Sequence, residues 1–221
     1  MKSVLISIRP KWCELIASGE KTIEVRKTRP KIPVPFKCYI YCTRNARDPD
    51  KLWVLNKQRR QEYGGLTAVC ANLAERPDYH YCGDGKVIGE FVCDHVERLH
   101  AFLDIQLYTS TQGTINCISP YIDWFLRESL VSPEEIDEYA KGCGYIYGWH
   151  ISDLKIYDVP KDLKEFTTFC NESENRCANC KHYLFDKDEL NGYQRWCGVC
   201  NRKPLTRPPR SWTYVEEKDE N

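Results

Sequence analysis

Between Ser18 and Lys27 the chain reads SGEKTIEVRK, and this stretch restricts the fold more than any other. Ile23 and Val25 alternate with Glu24 and Arg26, the period-two pattern of a strand with one apolar and one polar face. A helix-like segment precedes it. Pro10 suits a first helical turn, Trp12, Leu15 and Ile16 fall at i, i+3, i+4 spacing, and Gly19 is placed to end the helix in a left-handed conformation. Before the helix, Val4 to Ile8 is a short apolar run that reads as a first strand. Strand, helix and charged strand are therefore expected within the first 27 residues, with Glu24 and Arg26 on one face and Lys21 at its entrance.

The remaining segments are mostly strands. RPKIPVP, from Arg29 to Pro35, is a turn-rich connection, and Phe36 to Thr43 is a strand apolar on both faces. Residues 44–85 are polar and yield only a basic patch at Lys57, Arg59 and Arg60, a Gly64-Gly65 pair and a turn at Gly83 to Gly85. Lys86 to Leu99 reads as one long strand, with Gly89 as a bulge or close-approach point. Ser132, Pro133 and Glu135 form an N-cap, N1 and capping-box pattern for a helix that Gly142 ends. Gly144 to Val159 supplies another strand or pair of strands, and PKDLKEF leads out of the domain. This order is not a regular βα alternation. The expected class is mostly β with helices, α+β, as a small antiparallel barrel with helices at its ends.

With 221 residues, 42% hydrophobic and 12% aromatic, the chain can bury one sizeable core and carry a small appendage. No apolar run approaches a membrane span and the N-terminus lacks a signal-peptide core, so the expectation is a soluble, cytoplasmic protein without a membrane partner. Thirteen cysteines, an odd number, fit a reducing compartment better than a disulfide framework. Net charge is zero but unevenly distributed: residues 1–60 carry a balance of +10 and residues 61–170 a balance of −10. The basic segment either forms an anion-binding face or is neutralised by the acidic one across the fold.

Two knuckles, CANC (Cys177 to Cys180) and CGVC (Cys197 to Cys200), lie sixteen residues apart. Each can present two thiolates from one tight turn, so Cys177, Cys180, Cys197 and Cys200 are expected to hold a structural Zn2+ in a closed tetrahedron. A rubredoxin-like iron site is the alternative, although the second knuckle lacks the usual proline. His182 and Cys170 are outside candidates as ligands. Beyond the knuckles, Arg202, Lys203, Arg207 and Arg210 alternate with prolines in an extended arm. That arm either contacts nucleic acid or packs back on the barrel through Trp212 and Tyr214.

The pattern Gly19-x-Lys21-x-x-Glu24-x-Arg26, set after a strand and a helix, resembles the ASCH domain family, a branch of the PUA-like barrels. GKVIGEFVCD, the following helix and GYIYGWHISDLKIYDV fit the layout of that family, and the resemblance covers residues 1–166. It implies a PUA-like pseudo-barrel over 1–166 with a cleft beside the motif strand; the cysteine spacing puts a zinc-ribbon-like module with its extended C-terminal arm over 167–221. It also implies RNA binding, or chemistry on RNA or a modified nucleoside. Acetylcytidine hydrolases of the family carry a Thr where Glu24 stands and use it with the counterpart of Lys21. The Glu here directs the reading toward binding.

In that reading Lys21, Glu24, Arg26, Trp12 and Arg9 bind the ligand, an RNA or nucleoside-containing molecule, and the ribbon is a second contact surface. If the chain is a hydrolase, Lys21 and Glu24 carry the chemistry. A third reading is a protein-interaction adaptor that docks a partner through the ribbon. Against all three stands an ion pair that merely closes one end of the barrel. Tyr39, Tyr41 and Trp149 are further stacking candidates and His150 an acid-base candidate, though packing suits each of them better.

Overall fold

The computed structural model describes residues 3–44, 52–55, 67–69, 80–100, 120–168 and 204–217. The elements are β1 (Ser3–Ile8), α1 (Pro10–Ala17), β2 (Ile23–Arg26), β3 (Phe36–Cys42), β4 (Leu52–Leu55), β5 (Thr67–Val69), β6 (His80–Cys82), β7 (Val87–Cys93), β8 (Val96–His100), α2 (Pro120–Ser129), α3 (Pro133–Ala140), β9 (Tyr145–His150), β10 (Ser152–Lys161), β11 (Phe166–Thr168) and β12 (Trp212–Glu217). The class is mostly β with helices, as the sequence pattern indicates.

Six strands form a curled half-barrel sheet in the order β10-β7-β3-β1-β12-β11. Among the described strands only β1 and β3 run parallel; their connection passes through α1 and β2. A second sheet has the order β2-β9-β8, and a third, small one the order β5-β4-β6. The principal core lies inside the curl, where Val4, Ile6, Ile8, Cys38, Ile40 and Phe91 of the large sheet meet Cys13 and Ile16 of α1 and Trp149 of β9. The outer face of β2–β9–β8 buries Ile23, Val25, Leu99 and Ile146 under Phe125 of α2 and Ile136 of α3. A third cluster, on the other face of the six-stranded sheet, gathers Leu5, Tyr39, Tyr41, Tyr157, Phe166 and Leu205.

Local signals explain much of this. Gly19 ends α1 at φ 82°, a conformation that favours glycine. Ser132 accepts from the Glu135 amide at 3.2 Å and the Ser132 amide donates to the Glu135 carboxylate at 3.1 Å, the reciprocal capping box of α3. A Cβ on Gly89 would sit 2.5 Å from the Lys155 carbonyl oxygen, and the β3–β7 register shifts beside it. Both the bulge and the close approach expected there are present.

The structure departs from the sequence pattern in several places. The strand expected over Lys86 to Leu99 is two strands in different sheets, broken at Asp94 and His95. The polar stretch 44–85 contains β4, β5 and β6, and the segment before Ser132, for which no element is expected, contains α2. PKDLKEF, after a single 3-10 turn over Leu163–Glu165, feeds β11 into the six-stranded sheet. Finally, β2 is buried on both faces. The alternation of Ile23 and Val25 with Glu24 and Arg26 thus separates two interiors.

Part of the basic segment is neutralised across the fold. Lys11 pairs with Glu135 at 3.7 Å and Lys37 with Glu90 at 3.3 Å, joining N-terminal cations to carboxylates of the central segment. Lys21 and Arg26 pair with Glu24 inside the same segment, whereas Arg9, Arg29 and Lys31 have no ion pair among the described residues. Among the described residues no helix is long and apolar enough to cross a membrane.

Candidate functional site

Lys21, Glu24 and Arg26 come together inside the curl, 2%, 6% and 8% exposed respectively. The strand period puts Glu24 and Arg26 on one side of β2, and the turn after α1 brings Lys21 to the same place. Arg26 Nη2 lies 2.8 Å from Glu24 Oε1, and Lys21 Nζ lies 3.6 Å from Glu24 Oε2. Arg26 Nη2 also donates to the Ser7 carbonyl of β1 at 2.7 Å. Lys21 Nζ donates to the Ser129 carbonyl at the C-terminal end of α2, where helix carbonyls favour a cation. Trp12 completes the group, with Lys21 Nζ 4.8 Å from its ring centroid.

The cluster carries two cations and one carboxylate. A simple closing ion pair would leave no net charge in the interior, whereas this arrangement leaves one positive charge held by carbonyls. Its hydrogen bonding is also incomplete. Arg26 Nε and Trp149 Nε1 are buried N–H donors without an acceptor among the described residues. Trp149 stands opposite Glu24 in the β2–β9 register and Tyr147 opposite Arg26, so all four share one side of the sheet. Two unpaired buried donors beside a net-positive cluster suit a guest that brings acceptor atoms.

Burial holds the Lys21 amine below its ordinary value of 10.5, against the opposing pull of the Glu24 charge. In the unfolded chain Lys21 keeps its proton to higher pH than in the fold. Between the lowered folded value and 10.5 the unfolded state therefore binds more protons, and this group's contribution to stability rises with pH. The stability of the native protein relative to Lys21→Met is expected to rise with pH through this alkaline window. Urea titrations at stepped pH measure it; a relative stability that stays constant or falls would contradict the assignment.

Arg9 stands apart from the trio, exposed at the N-cap of α1. Tyr39 and Tyr41 pack in the cluster on the far face of the large sheet, so they cannot stack on a guest beside the trio. Trp149 is fully buried, edge-on to Phe36 with ring centroids 5.7 Å apart. Its ring is core, and its N–H has no acceptor among the described residues. His150 Nδ1 lies 2.7 Å from Asp94 Oδ1, in a part-exposed pair at the end of β9. Sequence reading missed the carbonyls of Ser7 and Ser129, because a main-chain acceptor leaves no mark on side-chain identity.

Cys13, Cys38, Cys42 and Cys93 are free and buried, as expected of thiols acting as small hydrophobes. Burial pushes the Cys13 and Cys38 thiols well up and that of Cys93 to about 12, which leaves them unreactive. Cys177, Cys180, Cys197 and Cys200 lie outside the described residues. Among the described residues, no group of three or more His, Cys, Asp or Glu side chains is arranged to hold a metal ion.

No protein-family model matches the chain, and no curated protein matches it. Among solved structures it is similar to an ASCH protein from Zymomonas mobilis, with a TM-score of 0.45 and 15% identity over 97% of this chain and 87% of that one. A Tyr-to-Phe variant of that protein gives 0.46 and 14%, covering 98% and 91%. A Ser-to-Ala variant gives 0.43 and 15%, covering 97% and 88%. A likeness of this degree assigns no residue a role.

Proposed function

We propose that this chain is an RNA-binding module of the ASCH kind, receiving one nucleotide of an RNA strand at Lys21, Glu24 and Arg26. The observation that carries the reading is the pair of unsatisfied buried donors, Arg26 Nε and Trp149 Nε1, on the same side of the sheet as a net-positive ion cluster. A base or phosphate offers acceptors to both donors, and an exocyclic amine of a base can donate to Glu24. Trp12 and Tyr147, both half-buried, border the trio and offer aromatic surface. The Gly19-x-Lys21-x-x-Glu24-x-Arg26 pattern supplies the family reading.

Fluorescence anisotropy of a labelled single-stranded RNA twelve-mer, over a range of salt concentrations, tests this. The native chain should bind with salt-sensitive affinity. Arg26→Met should abolish most of that affinity. Trp149→Phe, which removes an unpaired N–H while keeping an aromatic ring, should weaken it roughly three- to tenfold, the value of one hydrogen bond. No salt-sensitive RNA affinity in the native protein, or unchanged affinity in both variants, would sink the reading.

A second reading, hydrolysis of RNA or a modified nucleoside, draws on Lys21 itself. Burial lowers the pKa of its amine, which lies 3.6 Å from Glu24, within reach of proton exchange once a guest rearranges the pair. Turnover of labelled RNA or acetylated cytidine that disappears in Lys21→Met would select it. For the C-terminal part, the proposal places a structural zinc at Cys177, Cys180, Cys197 and Cys200. Their spacing supports it, as does the topology: Thr167 is bridged to Pro204, and the Leu205 amide donates to the Phe166 carbonyl at 2.8 Å. The two ends of the cysteine segment thus lie side by side.

A further inference from the structure

Five exposed cations, from three separate chain segments, gather around Trp212. Arg9 follows β1, Arg29 and Lys31 lie in the loop after β2, and Arg207 and Arg210 precede β12. Hydrogen bonds bring the segments together. Ser7 Oγ donates to the Pro209 carbonyl at 2.7 Å, and the Ser7 amide to the Ser211 carbonyl at 2.8 Å, so residues 209–211 run beside the end of β1 that leads to Arg9. Trp212 Nε1 donates to Thr28 Oγ1 at 3.0 Å, and the Lys31 amide to the Tyr214 hydroxyl at 2.7 Å, so the loop carrying Arg29 and Lys31 lies along β12.

None of the five has an ion pair among the described residues, whereas Lys11, Lys37 and Lys86 each pair with a carboxylate. Unpaired arginines along the edge of one site raise the local potential and cost nothing to desolvate until an anion arrives. The rim also abuts the interior cluster. The Ser7 carbonyl accepts from Arg26 while the Ser7 hydroxyl and amide hold the 209–211 segment. Trp212 stands between rim and site, its ring centroid 6.0 Å from that of Trp149.

From this arrangement we infer that Arg9, Arg29, Lys31, Arg207 and Arg210 form a phosphate-tracking rim for a single strand of RNA, flanking the nucleotide held inside. The inference rests on the RNA-binding reading and adds that the ligand is a polymer: a free nucleoside has no phosphates for the rim to hold. The C-terminal arm thereby acts as a wall of the site, with the exposed face of Trp212 available to a base next to the inserted nucleotide.

Paired neutral substitutions test it on the full chain, since all five side chains are exposed and outside the packed clusters. Each phosphate contact on a single strand contributes roughly 0.7 to the slope of log affinity against log salt. Arg207→Gln with Arg210→Gln should therefore make the slope for the RNA twelve-mer shallower by about 1.4, and Arg29→Gln with Lys31→Gln should do the same. Unchanged slopes in both double variants, with native RNA binding intact and Arg26→Met defective, overturn the rim and leave the RNA reading standing. Shallower slopes with Arg26→Met still binding normally support the rim and overturn the interior site. Absence of RNA binding by the native chain, with or without capture of phosphatidylserine vesicles, overturns both.

Discussion

Glu24→Ala is expected to destabilise the protein by about 3–5 kcal/mol, because it leaves Lys21 and Arg26 buried together with no counter-charge. Both cations are less than a tenth exposed, so water cannot screen them, and the Ser7 and Ser129 carbonyls provide dipoles without a compensating charge. The midpoint of chemical denaturation should fall with little change in its slope. Replacing the whole cluster should behave differently. Lys21→Met, Glu24→Leu and Arg26→Met combined removes every desolvated charge and should be neutral or stabilising by about 1–4 kcal/mol, while RNA affinity vanishes. Such a split between stability and binding would identify a cluster kept for a guest. A cost below about 1 kcal/mol for Glu24→Ala would show that the trio is solvated or re-paired in solution.

The second large effect is expected on the other side of β2. Phe125 of α2 is fully buried against Ile23, Val25, Leu99 and Ile146, and Phe125→Ala should cost about 3–5 kcal/mol through lost transfer energy and a residual cavity. Its ring packs directly on Gly148: a Cβ added there would sit 2.4 Å from Phe125 Cε2 and 2.8 Å from Ile23 Cγ2. Gly148→Ala alone should accordingly cost about 1–3 kcal/mol by overpacking. Because both changes act on one contact, Gly148→Ala combined with Phe125→Leu should recover part of the loss, a coupling readable in a double-mutant cycle. Gly148 is followed by Trp149, so displacement of β9 by Gly148→Ala should also weaken RNA binding. Additive costs would mean that helix and strand relax independently.

Sequence pattern disclosed the elements whose signals are local. Gly19, the Ser132–Glu135 box and the alternation of Ile23 and Val25 each carry their structural consequence within a few residues. The break at Asp94 and His95 was hidden because an apolar pattern continues across it, and only pairing partners distinguish β7 from β8. Similarly, α2 escaped notice since Pro120 begins it without a capping box, and Tyr121 and Trp124 resemble loop aromatics as readily as a helix face. At the site, Lys21, Glu24 and Arg26 were legible as a trio, but their burial was not. Nothing in SGEKTIEVRK distinguishes a face turned to water from one turned to a second core. The cation rim was legible only as composition, because its segments are brought together by hydrogen bonds donated by Ser7 and accepted by Thr28 and Tyr214.

The pairing of β1 with β12 bears on how the protein comes into being. Ser3 faces Val215 and Ile6 faces Trp212, so β1 acquires its neighbour from a segment far downstream in the chain. Until Trp212 to Val215 leave the ribosome, one edge of β1 has no partner, although its residues end as buried as any in the protein. Contacts of such long sequence separation make closure a late and slow event, with an adhesive edge exposed meanwhile. The segment that carries Arg207, Arg210 and Trp212 also joins β1 to β11 in the six-stranded sheet. A chain truncated before Trp212 would thus lack both β12 and one wall of the proposed binding surface. Loss of the proposed rim and loss of the sheet's closure would then come together.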